Sequence, residues 1–220
     1  MKKIINFKFV IRNCQRGMTY VELIVVLSIF SVMTSVVLFN YGTFQAKVDI
    51  KNLASDIALK IVEAQKSALS GLLPTQDPEA SPWKPAYGVY FNPSSSVDDT
   101  DDIPFNKKFI YFTDLHNNNW YDDESCDLSL PLDGECLDQI KMSKDYFISQ
   151  IDSYFGTTPT SITNPFALTF KRPSSVAVLS YDADTSSTDF DYIQITIASL
   201  QSSTITAKIK IYRSGRVQVN

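Results

Sequence analysis

Three hydrophobic patterns follow one another along the chain. Between Leu23 and Phe39 the apolar positions run almost unbroken, and twelve of them are Leu, Ile, Val or Phe. Further on they thin to a stripe, Ile50, Leu53, Ile57, Ile61, Ala64 and Ala68, at three- and four-residue steps, which predicts an amphipathic helix. Asp56 and Lys60 form a favourable i,i+4 pair on another face, and Gly71 with Pro74 supplies the stop. The two patterns join into one helix from about Met18 to Ser70, roughly 80 Å long, with Gly42 as a flexible point. Residues 72–85, rich in Pro, Ser and acids, read as a linker.

Beyond the linker the period changes from 3.6 to 2. Strands are expected at Tyr87 to Phe91, Lys108 to Phe112, Phe166 to Phe170 and Ser175 to Leu179. The clearest alternation is at the end, where Ile193, Ile195 and Ile197, then Ile205, Ala207, Ile209 and Ile211, exchange with polar neighbours. Ser214-Gly215 turns the chain into a last short strand ending near Val217. Ile140, Phe147, Ile151 and Tyr154 fall at helical spacing and point to an inserted helix over 138–155. The fold class is therefore α+β: a long N-terminal helix, about 18–71, followed by an antiparallel β-rich domain over 72–220 with a large insertion near 92–160.

The physics of the first segment is that of a membrane helix. Twelve strongly apolar residues favour insertion by roughly 4 to 7 kcal/mol, and one carboxylate costs about 2.5 to 3.5 kcal/mol at most. Insertion wins despite Glu22. From Met18 to Tyr41 a helix rises about 36 Å, enough for a hydrocarbon core of about 30 Å. Residues 1–17 carry Lys2, Lys3, Lys8, Arg12 and Arg16 and no acid, so they stay cytoplasmic and the rest faces outward. Without them the net charge of −4 becomes −9, which argues against general polyanion binding.

The run Arg16-Gly17-Met18-Thr19-Tyr20-Val21-Glu22-Leu23-Ile24-Val25-Val26-Leu27-Ser28-Ile29-Phe30 closely resembles the signal of type IV pilins and type II secretion pseudopilins. The resemblance implies a pilin-like fold and cleavage of the basic leader by a prepilin peptidase between Gly17 and Met18, with N-methylation at Met18. It also implies that Glu22 meets the terminal amine of a neighbouring subunit in a helical fibre, which gives the carboxylate its partner. Two features depart from the common pattern: Met rather than Phe at the first mature position, and no proline near Phe39. Both lean towards a minor subunit. The long helix, a Tyr-Gly-Val-Tyr-Phe strand and a terminal Arg-Ser-Gly-Arg-Val hairpin further resemble the H-type (GspH/FimT-like) minor pseudopilins. The location implied is the inner membrane, single-pass, in contact with lipid until assembly into a pilus or pseudopilus. The alternative is a plain signal anchor in which Glu22 is a tolerated edge charge and the β domain binds a surface ligand. A secretory signal peptide fits less well, because its cut site follows a shorter apolar core.

The remaining chemistry is sparse. Cys14 lies in the leader, which leaves Cys126 and Cys136 as an even pair; a disulfide is expected in an exported domain, against the alternative of two free thiols. Three acidic clusters stand out, and the third, Asp182, Asp184, Asp189 and Asp191, begins like a calcium loop. Ser187 and Ile193 then occupy the positions of the turn glycine and the bidentate glutamate, so a solvated loop is the competing reading. Lys208, Lys210, Arg213 and Arg216 form a basic strip that suits DNA phosphates or, more simply, the wet face of a guarded edge hairpin. His116, the chain's one histidine, sits in a loop-like Leu-His-Asn-Asn-Asn-Trp context. No phosphate loop, zinc-ligand spacing or nucleophile elbow occurs, so no enzyme is expected, although paired carboxylates leave no sequence signature.

Overall fold

The computed structural model describes residues 17–73, 84–97, 102–122, 126, 134–142, 146–182, 185–200 and 204–220. Among the described residues one α-helix, α1 (Tyr20–Ser70), precedes eleven strands. The strands are β1 (Ala86–Phe91), β2 (Lys108–Asp114), β3 (Cys136–Lys141), β4 (Tyr146–Phe155), β5 (Thr158–Ser161) and β6 (Phe166–Phe170). They continue with β7 (Ala177–Ser180), β8 (Ser186–Ser187), β9 (Tyr192–Ser199), β10 (Thr206–Tyr212) and β11 (Val217–Val219). A short 3-10 turn, Phe105–Lys107, leads into β2.

The chain divides into a unit ending at Phe44 and a compact unit from Gln45 to Asn220. In the first unit the large apolar side chains of α1, among the described residues, are exposed. In the second, α1 shows one buried face, Ile50, Ala54, Ile57, Ile61, Ala64 and Ala68, the stripe expected from the sequence. Ala54, Ala64 and Ala68 are fully buried members of the core that this face shares with the sheets. Tyr87 Oη donates to Leu72 O at 3.0 Å and Tyr111 Oη to Ser67 Oγ at 3.0 Å, fastening the helix end to β1 and β2. Gly71, at φ +62°, closes the helix in the left-handed conformation that glycine adopts without a Cβ penalty.

The strands form two antiparallel sheets. One is ordered β3-β2-β1-β6-β7-β8, the other β11-β10-β9-β4-β5. A single core draws on α1 and both sheets, with Phe91, Phe109, Phe166 and Phe170 from the first and Ile193, Ile195, Ile197, Ile209 and Ile211 from the second. Alternation sets the register in the second sheet, where Ile193, Ile195 and Ile197 lie opposite Ile211, Ile209 and Ala207. Ala177 N–H donates to Arg213 O at 2.9 Å and ties the two sheets at one edge.

Among the described residues of 138–155 the structure has strands where the sequence predicts an inserted helix. That sequence forms the end of β3 and all of β4, and β4 pairs with β9 in the middle of the second sheet. Segment 92–160 thus supplies a strand to the interior of each sheet, β2 in one and β4 in the other. Gly42 lies inside an unbroken α1.

The first sheet is buried on both faces. Its outer side carries a second small cluster, Ile110, Phe112, Tyr121, Cys136 and Ala167, with Tyr90, Trp120 and Cys126 packed on it. The cover is the loop 115–122. Trp120 meets Tyr90 edge-on at 5.5 Å, and Tyr121 lies 5.3 Å from Tyr90 and 5.5 Å from Phe112 between ring centres.

Candidate functional sites

The N-terminal site is built by helix capping. Gly17, Met18 and Thr19 precede α1; Thr19 Oγ1 accepts the Glu22 N–H at 3.3 Å, and Thr19 O accepts that of Leu23 at 3.1 Å. The Thr-x-x-Glu spacing is that of a capping box, and the Glu22 carboxylate stands in the first turn, where the helix dipole favours negative charge. Glu22 is exposed, as are the large apolar residues from Leu23 to Phe39; Phe39 retains 83% of its surface and Phe30 66%. This is one helix long and apolar enough to cross a membrane, with mean hydropathy 2.4 over its apolar window.

The loop over the first sheet is held by two fully buried carboxylates, Asp114 and Glu135. Asp114 Oδ1 accepts the Asn118 N–H at 3.1 Å and Oδ2 that of Asn119 at 2.9 Å. Glu135 Oε1 accepts the Leu115 N–H at 2.9 Å, and Oε2 accepts that of Asp122 at 3.0 Å. Glu135 is itself fixed by Thr113 N–H, which donates to its carbonyl at 2.9 Å, just before β3 begins. Asn117 and Asn119 take positive φ, 59° and 61°, so the loop can curl around these acceptors.

His116 stands at the mouth of this arrangement. Its Nδ1 lies 3.1 Å from Glu135 Oε1 and 3.2 Å from Asp122 Oδ2. The hydrogen bond to Glu135 raises the His116 pKa above the ordinary histidine value. Burial raises those of Glu135 and Asp114 above the carboxylate range, outweighing the N–H groups that point at them. Among the described residues, His116, Asp122 and Glu135 form the one group of His, Cys, Asp or Glu donors close enough to share an ion, with ligand atoms all within 4.8 Å of one another. In the sequence His116 stands in a loop-like context and Glu135 carries no signal of a role. Donors separated by 6 and 13 positions leave no periodic trace, and only the pairing of β2 with β3 brings them together.

Cys126 and Cys136 are joined as a disulfide, with Cα atoms 5.3 Å apart. Of the calcium candidates, Asp184 lies outside the described residues. Asp182 Oδ1 accepts the Thr185 N–H at 2.6 Å, Asp191 Oδ2 accepts that of Gly156 at 2.6 Å, and Asp189 N–H donates to Ser187 Oγ at 3.0 Å. The Asp182 carboxylate thus serves its own turn, and that of Asp191 the β4–β5 turn 35 positions away.

The basic strip falls on β10 and the turn after it. Lys208 and Arg213 are exposed. Lys210 Nζ sits 4.7 Å over the Tyr192 ring and the Arg216 guanidinium 3.9 Å over that of Tyr212, so two of the four cations rest on tyrosines of their own sheet. Those tyrosines continue a row with Tyr154, stacked on Tyr192 at 4.4 Å. A separate cluster, Lys84, Lys171, Arg172 and Asn117, lines a cavity of about 500 Å³ near the end of α1. No family model matches this chain, and neither the curated proteins nor the solved structures contain a match to it.

Proposed function

We propose that this chain is a minor pilin or pseudopilin, cut by a prepilin peptidase between Gly17 and Met18 and assembled into a type IV pilus or type II secretion-like fibre. The observation that carries this reading is the contrast within one helix. The described residues 17–39 and 41–44 are all exposed, large apolar side chains included, while from Ile50 onward one stripe is buried in a β-rich domain. A subunit that first lies in a bilayer and then bundles its helix with others needs that division. Lipid solvates the bare segment before assembly and neighbouring helices cover it afterwards. Glu22, in the first turn and exposed, is placed to pair with the terminal amine of a neighbour, whose positive charge offsets the cost of a carboxylate among apolar helices.

The β domain then faces outward, and its disulfide suits an oxidising compartment. The test is intact mass and N-terminal sequencing of the chain expressed with a prepilin peptidase, beside Gly17→Val. A mature chain beginning at Met18, lost in the variant, is the expected result. An unprocessed wild-type chain overturns the reading and leaves a signal-anchored surface protein.

A further inference from the structure

We propose that His116 Nδ1, Asp122 Oδ2 and Glu135 Oε1 form a binding site for one borderline divalent ion of the Zn²⁺ class. The inference rests on the outer domain alone and does not depend on fibre assembly.

Three features point to a metal rather than to a simple clasp. First, Nδ1 carries at most one proton, yet it faces two carboxylate oxygens at nearly equal distances, 3.1 and 3.2 Å. A single N–H can only be shared between them, whereas an ion in their midst would take a lone pair from each of the three atoms, Asp122 Oδ2 also accepting from Asn118 Nδ2 at 2.7 Å and Glu135 Oε1 from the Leu115 and His116 N–H groups. Secondly, the spacing is close to that of a coordination shell. Ligands about 2.0 to 2.1 Å from a tetrahedral Zn²⁺ stand about 3.3 Å apart; Nδ1 already lies 3.1 and 3.2 Å from the two oxygens and all three atoms lie within 4.8 Å of one another, so small movements of two exposed side chains would close a three-ligand face. The His116 and Asp122 side chains keep 63% and 31% of their surface, which leaves the outer side of the group to water. Thirdly, the site is held in place before any ion arrives. The Glu135 carboxylate is fully buried and oriented by the N–H groups of Leu115 and Asp122, and the loop is packed down by Trp120 and Tyr121.

The donor set also selects the ion. An imidazole nitrogen beside two carboxylates suits Zn²⁺ and its neighbours, whereas Ca²⁺ needs six to eight oxygens and Mg²⁺ an octahedron of them. Bound metal would fasten the loop to β3, next to the Cys126–Cys136 link, and add a positive charge beside buried acids.

The test uses the full chain in detergent, without a histidine tag, dialysed to equilibrium against buffered Zn²⁺ and, separately, Ca²⁺. One saturable equivalent of Zn²⁺ per chain is expected, with no competition from Ca²⁺. Affinity should fall by tenfold or more, about 1.4 kcal/mol, in both His116→Gln and Asp122→Asn. Both side chains are at the surface, so the variants should melt as the wild type does in the presence of chelator. Since the chain has one histidine, its imidazole resonances in the unmodified protein give a readout that needs no variant. They should shift on adding one equivalent of Zn²⁺. Absence of saturable uptake, uptake unchanged in both variants, or histidine resonances that ignore the metal would each overturn the proposal.

Discussion

Gly215, in the turn between β10 and β11, lies against Gln65 on α1, whose Nε2 reaches across to donate to Ser175 O at 3.3 Å. A Cβ at Gly215 would run into both Gln65 Nε2 and the Ser175 carbonyl. The residue also takes φ +83°, where only glycine is unstrained. Gly215→Ala should therefore destabilise the protein by about 2 to 3 kcal/mol, combining backbone strain with a forced displacement. Adding Gln65→Ala should recover part of that loss by opening space, but not the part due to φ or to the Ser175 carbonyl. Urea unfolding of the four chains of this double-mutant cycle checks it, and strictly additive effects would contradict the contact.

Ile61 and Leu59 give the matching contrast on the helix. Ile61 is completely buried and Leu59 keeps 64% of its surface. Ile61→Ala should cost about 2 to 5 kcal/mol through lost burial and a cavity, while Leu59→Ala should stay within about 0.5 kcal/mol of wild type. Equal losses at the two positions in the same denaturation experiment would mean that the stripe has been assigned to the wrong face.

The difference between what the sequence disclosed and what it hid follows from local order. The buried stripe of α1 and the alternation of Ile193, Ile195 and Ile197 were legible because each element keeps one period from end to end. β4 was misread as a helix for a physical reason. The helical spacing of Ile140, Phe147, Ile151 and Tyr154 mixes residues of β3 and β4, and of the four only Ile151 is buried. The strand's own alternation, Tyr146, Ile148 and Ile151, is broken by a bulge between Ile148 and Gln150, so no period of two runs through it. The His116 group was invisible for a different reason, since its geometry arises from strand pairing and from loop N–H groups drawn to buried carboxylates. Glu22 was singled out as a charge beside an apolar run, but its capping partnership with Thr19 emerged only with the backbone.

The Cys126–Cys136 link spans 10 positions. Closing a loop of that length in the unfolded chain removes entropy worth about 3 kcal/mol in the chain-entropy model. Cys126→Ser should lower stability by that order, and reductant should lower the wild type to the same level with no further effect on the variant. The melting temperature in the two redox conditions reads this directly. A reductant effect that persists in Cys126→Ser would show that the loss has another source.

Four tyrosines make the domain sensitive to alkali. Burial raises the pKa of Tyr87 to about 12 and raises those of Tyr90, Tyr111 and Tyr181 above the ordinary value of 10.0. A folded-state pKa above the unfolded one gives stability that is complete below the unfolded value and lost as pH climbs through the folded one. For Tyr87 that window runs from about 10 to 12. Because Tyr87 and Tyr111 hold the end of α1 through their hydroxyls, unfolding by alkali should coincide with a late rise in tyrosinate absorbance. Complete ionisation near pH 10 with the circular dichroism unchanged would contradict the burial argument.

Glu22 separates capping from assembly. The Thr19 side of the cap is a backbone N–H bonded to a hydroxyl, so it survives removal of the Glu22 carboxylate. Deleting that charge also lowers the cost of entering a bilayer, by at most about 2.5 to 3.5 kcal/mol. Glu22→Ala should therefore insert and be processed at least as well as wild type. If the carboxylate pairs with a neighbour's amine, the same variant should fail to enter fibres, because the amine would then be buried without a partner. Glu22→Gln, close in shape but uncharged, should fail likewise, which distinguishes loss of charge from loss of packing. The measurement is the fraction of processed subunit recovered in sheared fibres or in crosslinked multimers. Incorporation of either variant at the wild-type level would remove the ion pair from the assembly mechanism and leave Glu22 with its helix-terminal role alone.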